Sequence, residues 1–296
     1  MGKASRNKRL NARERIAAQQ EAQRRAARQR QLLITGGSIV AVAAIVAVFV
    51  VVKAVSGGPA AAKTVHGSSA AAVVNTIARV PASTLSAVGA GTGQTNAPKK
   101  IPGTPLTVNG KPEVLYMGAE YCPFCAAERW ALTLALSRFG TFSGVGLIRS
   151  AGKPEVFPNT PTLTYYKSGY TSKYVSFVPV EEQTVTHAPL QTATGGQNAL
   201  MARYDAAPYT QTPGSIPFID FANQYGLIGG SSYQPSILHG MTWSQVATAL
   251  SNPASPVAKQ VDGAANRLIA AICKITNNQP ANVCTAPTIK TLQGNL

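Results

Sequence analysis

Acidic side chains are scarce in this chain: 11 Asp and Glu stand against 27 Lys and Arg in 296 residues, a formal net charge of +16. With so few carboxylates no paired-carboxylate motif stands out, and acid–base chemistry of that kind has no candidate pair. Histidine is scarcer still, at three residues, and no Ser-His-Asp arrangement emerges. The 26 glycines form no phosphate-cradling loop. No internal repeat is visible, which excludes a solenoid or propeller array. Cysteine is limited to Cys122, Cys125, Cys273 and Cys284. Zinc needs four suitable ligands, or three and a water; here a proline sits inside the first pair, ten residues separate the second, and no histidine lies close by in sequence. The expected content of metal and of cofactor is none.

What the cysteines offer instead is placement. Glu113 to Gly118 reads as a short buried strand, and Trp130, Leu132, Leu134, Leu136 and Phe139 continue an apolar helix that ends near Gly140, so Cys122-Pro123-Phe124-Cys125 falls at a helix start. Unpaired backbone N–H groups and the positive end of the helix dipole favour an anion there, which predicts Cys122 as a thiolate and attacking group. Two intervening residues bring Cys125 round one helical turn, where it can resolve a mixed disulfide. Pro123 suits the first turn, having no N–H to lose. Glu120 and Glu128 flank the pair; a nearby carboxylate raises a thiol pKa and can accept a proton from Cys125, while a solvated or Arg129-paired surface carboxylate is the plainer expectation.

The charge is concentrated. Residues 1–31 carry ten Lys and Arg against Glu14 and Glu21, and form a basic tail. Leu32 to Val52 is uncharged and apolar, long enough to cross about 30 Å of hydrocarbon as a helix. Residues 32–55 are therefore expected to be a single transmembrane helix, and the positive-inside rule places the tail in the cytoplasm and the rest of the chain on the extracytoplasmic side of the cell membrane. A cleaved signal peptide, with Gly58 to Ala62 as the cleavage site, is the alternative. The tail needs no nucleic acid to explain it; anionic headgroups suffice.

Residues 56–105 are dominated by Ala, Gly, Ser, Thr and Pro and are expected to be a tether, with Ala70 to Ile77 as a short helix that docks on the domain. A folded domain is expected over 106–287 and a short tail over 288–296. Within the domain, Gly144 to Ser150 reads as a second strand, reached by a helical crossover and parallel to the first. Leu163–Lys167 and Tyr174–Val178 read as paired strands, Ile216–Ala222 as a strand with Gly226–Ser231 as its hairpin partner. Helices are expected over Asn198–Asp205, Trp243–Leu250 and Ser255–Lys274. Strands alternating with helices imply an α/β layered fold.

Two features in this order, strand–Cys122-Pro123-Phe124-Cys125–helix and then Ser215-Ile216-Pro217-Phe218-Ile219, resemble the thioredoxin-like superfamily. The resemblance implies a three-layer α/β domain with an inserted hairpin and helix segment over Gly152–Gly214. It also implies a cis peptide before Pro217, with the Ile216 backbone pairing with a bound substrate chain and Pro217 packing against the sulfurs. More narrowly, Gly118 to Trp130 together with Ile272-Cys273-Lys274 and Val283-Cys284 is similar to a family of membrane-anchored thioredoxin-like proteins described as a domain of unknown function (DUF929). Pro-Phe between the cysteines differs from the Gly-Pro of thioredoxins and the Pro-His of strongly oxidising periplasmic enzymes. Without that His, one donor to the thiolate is absent.

Four cysteines in an extracytoplasmic domain suit two disulfides, with Cys273–Cys284 as a structural staple at the end of the last helix, or as a relay to the first pair. Tyr165, Tyr166, Tyr170, Tyr174 and Phe177 suit cross-strand packing, or a peptide-binding face. Trp130 and Trp243 are expected in the core. The function these readings favour is a membrane-anchored thiol–disulfide oxidoreductase acting on protein thiols and disulfides, with a membrane redox partner. The alternatives are a non-enzymatic thioredoxin-like binding module whose first pair is structural, and a Cu(I) metallochaperone using Cys122, Cys125 and His187 or His239.

Overall fold

Ala70, Val73, Val74 and Ile77 recur at helical spacing, and those four side chains are the buried face of helix α1 (Ser68–Ala78). The computed structural model describes residues 64–296; the basic tail, the span expected over 32–55 and the first residues of the expected tether lie outside them. A second helix, α2 (Ala82–Val88), buries Leu85. From residue 64 onward the expected tether is thus part of the folded domain: its small residues leave one apolar stripe, and that stripe joins the main core. The other end needs the same correction, because residues 287–293 form a helix that buries Ile289 and Leu292.

The central sheet is built from β1 (Lys99–Lys100), β2 (Thr107–Val108) and β3 (Lys111–Gly118), joined by three later strands. β3 feeds α3 (Pro123–Leu136), a helix buried almost all round. Next come β4 (Gly140–Ser143), β5 (Gly146–Arg149), β6 (Pro161–Thr164) and β7 (Gly169–Ser172), which pair antiparallel as β4 with β7 and β5 with β6, outside the central sheet. The parallel partner of β3 is instead β8 (Ser176–Glu181), with Leu115 opposite Val178. Two expected pairings are therefore corrected. Gly144–Ser150 bonds to its sequence neighbour rather than to β3, and the strands at Leu163 and Tyr174 belong to different pairs. Apolar content alone does not say which of several strands closes the crossover. Pro179 is tolerated within β8 because β8 is paired on one side by β3 alone.

After α4 (Gly195–Tyr204), opened by a Thr194–Gln197 capping box, β9 (Phe218–Phe221) runs antiparallel to β3 and turns into β10 (Tyr225–Leu227). The main path is β8–β3–β9–β10–β1, with β2 bonded only to the first residues of β3. Helices α5 (Trp243–Ala249) and α6 (Pro256–Ile275), then α7 (Ala281–Cys284) and α8 (Pro287–Gln293), complete the chain.

Period-two alternation along β3 divides the core. Val114 and Tyr116 face the cluster that contains α1, α3 and α6, while Leu115 and Met117 face a smaller one with Tyr204, Phe218 and Ile228. The fold is accordingly a mixed α/β domain with a central mixed sheet flanked by helices, an arrangement compatible with the expected thioredoxin-like layers. Cys273 and Cys284 are joined by a disulfide between α6 and α7. Among the described residues no helix is long and apolar enough to cross a membrane.

The tyrosine-rich segment packs inward: Tyr165, Tyr170 and Phe177 surround Phe142 at ring-centroid distances of 4.9–5.8 Å. Trp130 is fully buried, and its indole donates to the Pro161 carbonyl at 2.9 Å; Trp243 is half-buried and donates to Ile148.

Candidate active site

β3 stops at Gly118, and the turn Ala119–Tyr121 delivers Cys122 to the N-cap of α3 with Pro123 in the first turn. The Cys125 backbone N–H donates to the Cys122 sulfur at 3.2 Å, so the helix end caps itself on the thiol. On its other side the Cys122 thiol meets the Ile216 carbonyl at 3.7 Å, just before β9, and the Ile216–Pro217 peptide is cis. Cys122 is 4% exposed and Cys125 fully enclosed; both are free thiols.

Their acidities are driven apart. The hydrogen bond that the Cys125 side chain offers holds the Cys122 thiol below its ordinary range, with the N–H groups of Cys125 and Phe124 and the Arg129 charge assisting against burial. Burial pushes the Cys125 thiol well up, its bond to Cys122 and the charge there add, and Arg129 opposes. The arrangement suits an attacking Cys122 and a resolving Cys125.

Arg129 was not legible as part of this site. It lies one helical turn beyond Cys125, fully buried, and pairs bidentately with Glu181 at the end of β8: Nε to Oε1 at 2.9 Å and Nη2 to Oε2 at 2.6 Å. Nη2 also donates to the Ala119 carbonyl at 2.9 Å, the same carbonyl that accepts from the Cys122 backbone N–H. The available signal was an arginine inside an otherwise apolar helix, since a buried charge requires a partner.

The two carboxylates expected near the surface are both buried, and neither pairs with Arg129. Glu120 accepts from the Thr164 hydroxyl at 2.7 Å, and burial raises its pKa. Glu128 accepts from the Ser232 N–H at 2.7 Å and hydroxyl at 3.1 Å, and burial raises it to about 7. Arg129 is committed to Glu181 because the strand pairing sets Glu181 opposite Gly118, beside the thiol turn.

Two grooves flank the thiols. One, of ≈ 390 Å³, is lined by Ala119, Tyr121, Glu182, Gln191 and Ile216, and His187 stacks on Tyr121 at 4.0 Å. The other, of ≈ 280 Å³, is lined by Asn96, Phe124, Thr210 and Gln234. Phe124 meets Phe157 edge-on at 5.7 Å, next to Val156, which is 75% exposed. Among the described residues no three His, Cys, Asp or Glu side chains converge as a metal site.

A mixed α/β domain that presents two thiols of opposed acidity at a strand-to-helix turn is the class these observations define. Residues 97–274 match the family model described as Domain of unknown function (DUF929), and the chain belongs to that family. Neither a curated protein nor a solved structure matches the chain. Helices α1 and α2 precede the matched residues, as Cys284 follows them.

Proposed function

We propose that this protein is a thiol–disulfide oxidoreductase of thioredoxin-like fold, held at the cell membrane by residues 32–55 with its thiols on the extracytoplasmic side. The observation that carries the reading is the Cys122 sulfur at the start of α3, capped by the Cys125 N–H and facing the Ile216 carbonyl, with Cys125 enclosed behind it. The β8–β3–β9–β10 order, with the thiol turn after β3 and Pro217 before β9, supports the fold assignment. The flanking grooves suit an extended protein segment on either side of Cys122.

In the proposed cycle the Cys122 thiolate attacks a substrate disulfide, forming a Cys122 mixed disulfide and releasing one substrate thiolate, which takes a proton from solvent. Cys125 then attacks the Cys122 sulfur, closing Cys122–Cys125; the substrate leaves as its second thiol, taking up the proton that Cys125 loses. The reverse sequence oxidises a substrate dithiol.

Cys125→Ser is expected to trap a mixed disulfide with partner proteins that Cys122→Ser does not. A Cys122 pKa at or above the ordinary thiol value of about 8.5, with no trapped adduct, would overturn the reading in favour of a binding module. The full chain is expected in a membrane fraction that resists alkaline extraction; release by alkali would remove the tether.

A further inference from the structure

Resolution is the step for which the geometry makes least obvious provision. Cys122 has the helix N-terminus to support its negative charge, but Cys125 is fully enclosed and must become anionic to attack. The groups that face it from inside come from three elements. Cys122 at the N-cap of α3, Arg129 on α3 and Tyr116 on β3 act on it directly, while Glu181 on β8 bears on it through Arg129; Tyr165 packs on Tyr116 edge-to-face at 5.3 Å. Glu120 and Glu128, which flank the thiol pair in sequence, are engaged by Thr164 and Ser232.

Tyr116 and Arg129 stand out in this set because both carry unspent hydrogen-bond donors in a sealed environment. The Tyr116 hydroxyl is fully buried and has no partner, and neither has Arg129 Nη1. The guanidinium lies 5.7 Å from the Tyr116 ring centroid. Gly118 shows where the hydroxyl sits: a methyl group there would collide with the Tyr116 hydroxyl and come within 3.1 Å of the Cys125 sulfur, so both groups border the same small space. A buried hydroxyl with no partner is costly, and one beside a sulfur that becomes charged during turnover acquires its partner then.

We propose that Tyr116 and Arg129, with Glu181 holding the guanidinium in place, are positioning residues that stabilise the Cys125 thiolate in the resolving step. This rests on the thiol-exchange reading above. The electrostatics agree in sign, since the Arg129 charge opposes the rise in the Cys125 pKa that burial causes. The bond balance is the one already given: the Cys125–Cys122 bond forms, the Cys122–substrate bond breaks, and Tyr116 and Arg129 keep their protons throughout.

The test uses the full chain in detergent, in which Cys122 and Cys125 are the free cysteines, and the aryl disulfide dithiobis(nitrobenzoate). Attack by Cys122 releases one coloured aryl thiolate; resolution by Cys125 releases the second, its proton passing to solvent at neutral pH. Wild type should show both phases; absence of the second would defeat the exchange reading itself. Given both phases, Tyr116→Phe should slow the second about tenfold, as expected for one lost hydrogen bond to a charged group, and leave the first unchanged. Its melting temperature should hold or rise, because the unpartnered hydroxyl is gone; a purely structural tyrosine would give the opposite pattern. Arg129→Gln should slow the second phase at least as much and raise its pH midpoint by about one unit, with partial rescue in Arg129→Lys. Should Arg129→Gln not fold, Arg129→Met with Glu181→Met removes both charges without leaving one unpaired and reads the same way. A second phase within about twofold of wild type, with an unmoved pH midpoint in these variants, would overturn the proposal while the exchange reading stood.

Discussion

Glu128 stands three residues past Cys125, on the helix that carries both thiols, yet its carboxylate is spent on Ser232. Its pKa of about 7 has company: burial also raises Asp220 to about 7 and Asp262 to about 8. In the unfolded chain such groups titrate near about 4. Between those values the folded state keeps protons that the unfolded state has lost, so these three groups make stability fall as pH rises from about 4 to about 8. The melting temperature should therefore be lower at about pH 8 than at about pH 5, and Glu128→Gln, which keeps an acceptor for Ser232 without a titratable proton, should flatten that slope. An unchanged slope in this variant would mean that Glu128 is ionised in the folded protein. At this scale the two cysteines were legible because their signal is local, and Ile216 and Pro217 through the resemblance to the thioredoxin-like pattern. Arg129, Tyr116 and Glu181 were not, because Arg129 and Glu181 lie 52 residues apart and nothing between them announces the pairing.

Helix α1 shows how a segment that looks like a linker becomes structural. Its exposed positions are Ser, Ala and Asn, while Ala70, Val73, Val74 and Ile77 enter the core and pack toward α3 and α5. Ile77→Ala should cost about 2–5 kcal/mol in chemical denaturation, as for a fully enclosed side chain. A cost near zero would mean that residues 68–78 only rest on the domain. Helices α4, α5 and α6 and the β9–β10 hairpin were legible, each within one continuous run of residues. Strand partners across longer separations were not, since β5, β6 and β8 carry similar apolar patterns and only packing decides which lies beside β3.

Across the whole molecule, the Cys273–Cys284 bond ties α6 to α7, and Gln293 on α8 donates to the Cys284 carbonyl at 3.2 Å. Replacing both cysteines by serine should lower stability by about 2–3 kcal/mol in the chain-entropy picture, measured by denaturant titration, and leave the exchange phases of Cys122 and Cys125 unchanged. A loss of exchange in that variant would instead favour the relay reading. By itself the sequence determined the thiol turn, the helix start that favours an anion at Cys122, and a strand opening near Pro217, since each is written in a few neighbouring residues. Only the tertiary structure decided that β8 rather than β5 lies parallel to β3, that Glu181 thereby arrives opposite Gly118, and that a buried arginine and an unpartnered tyrosine stand behind Cys125. The physical reason is that local propensity acts over a turn or a strand, whereas burial and charge pairing are settled by which distant surfaces fill the same space.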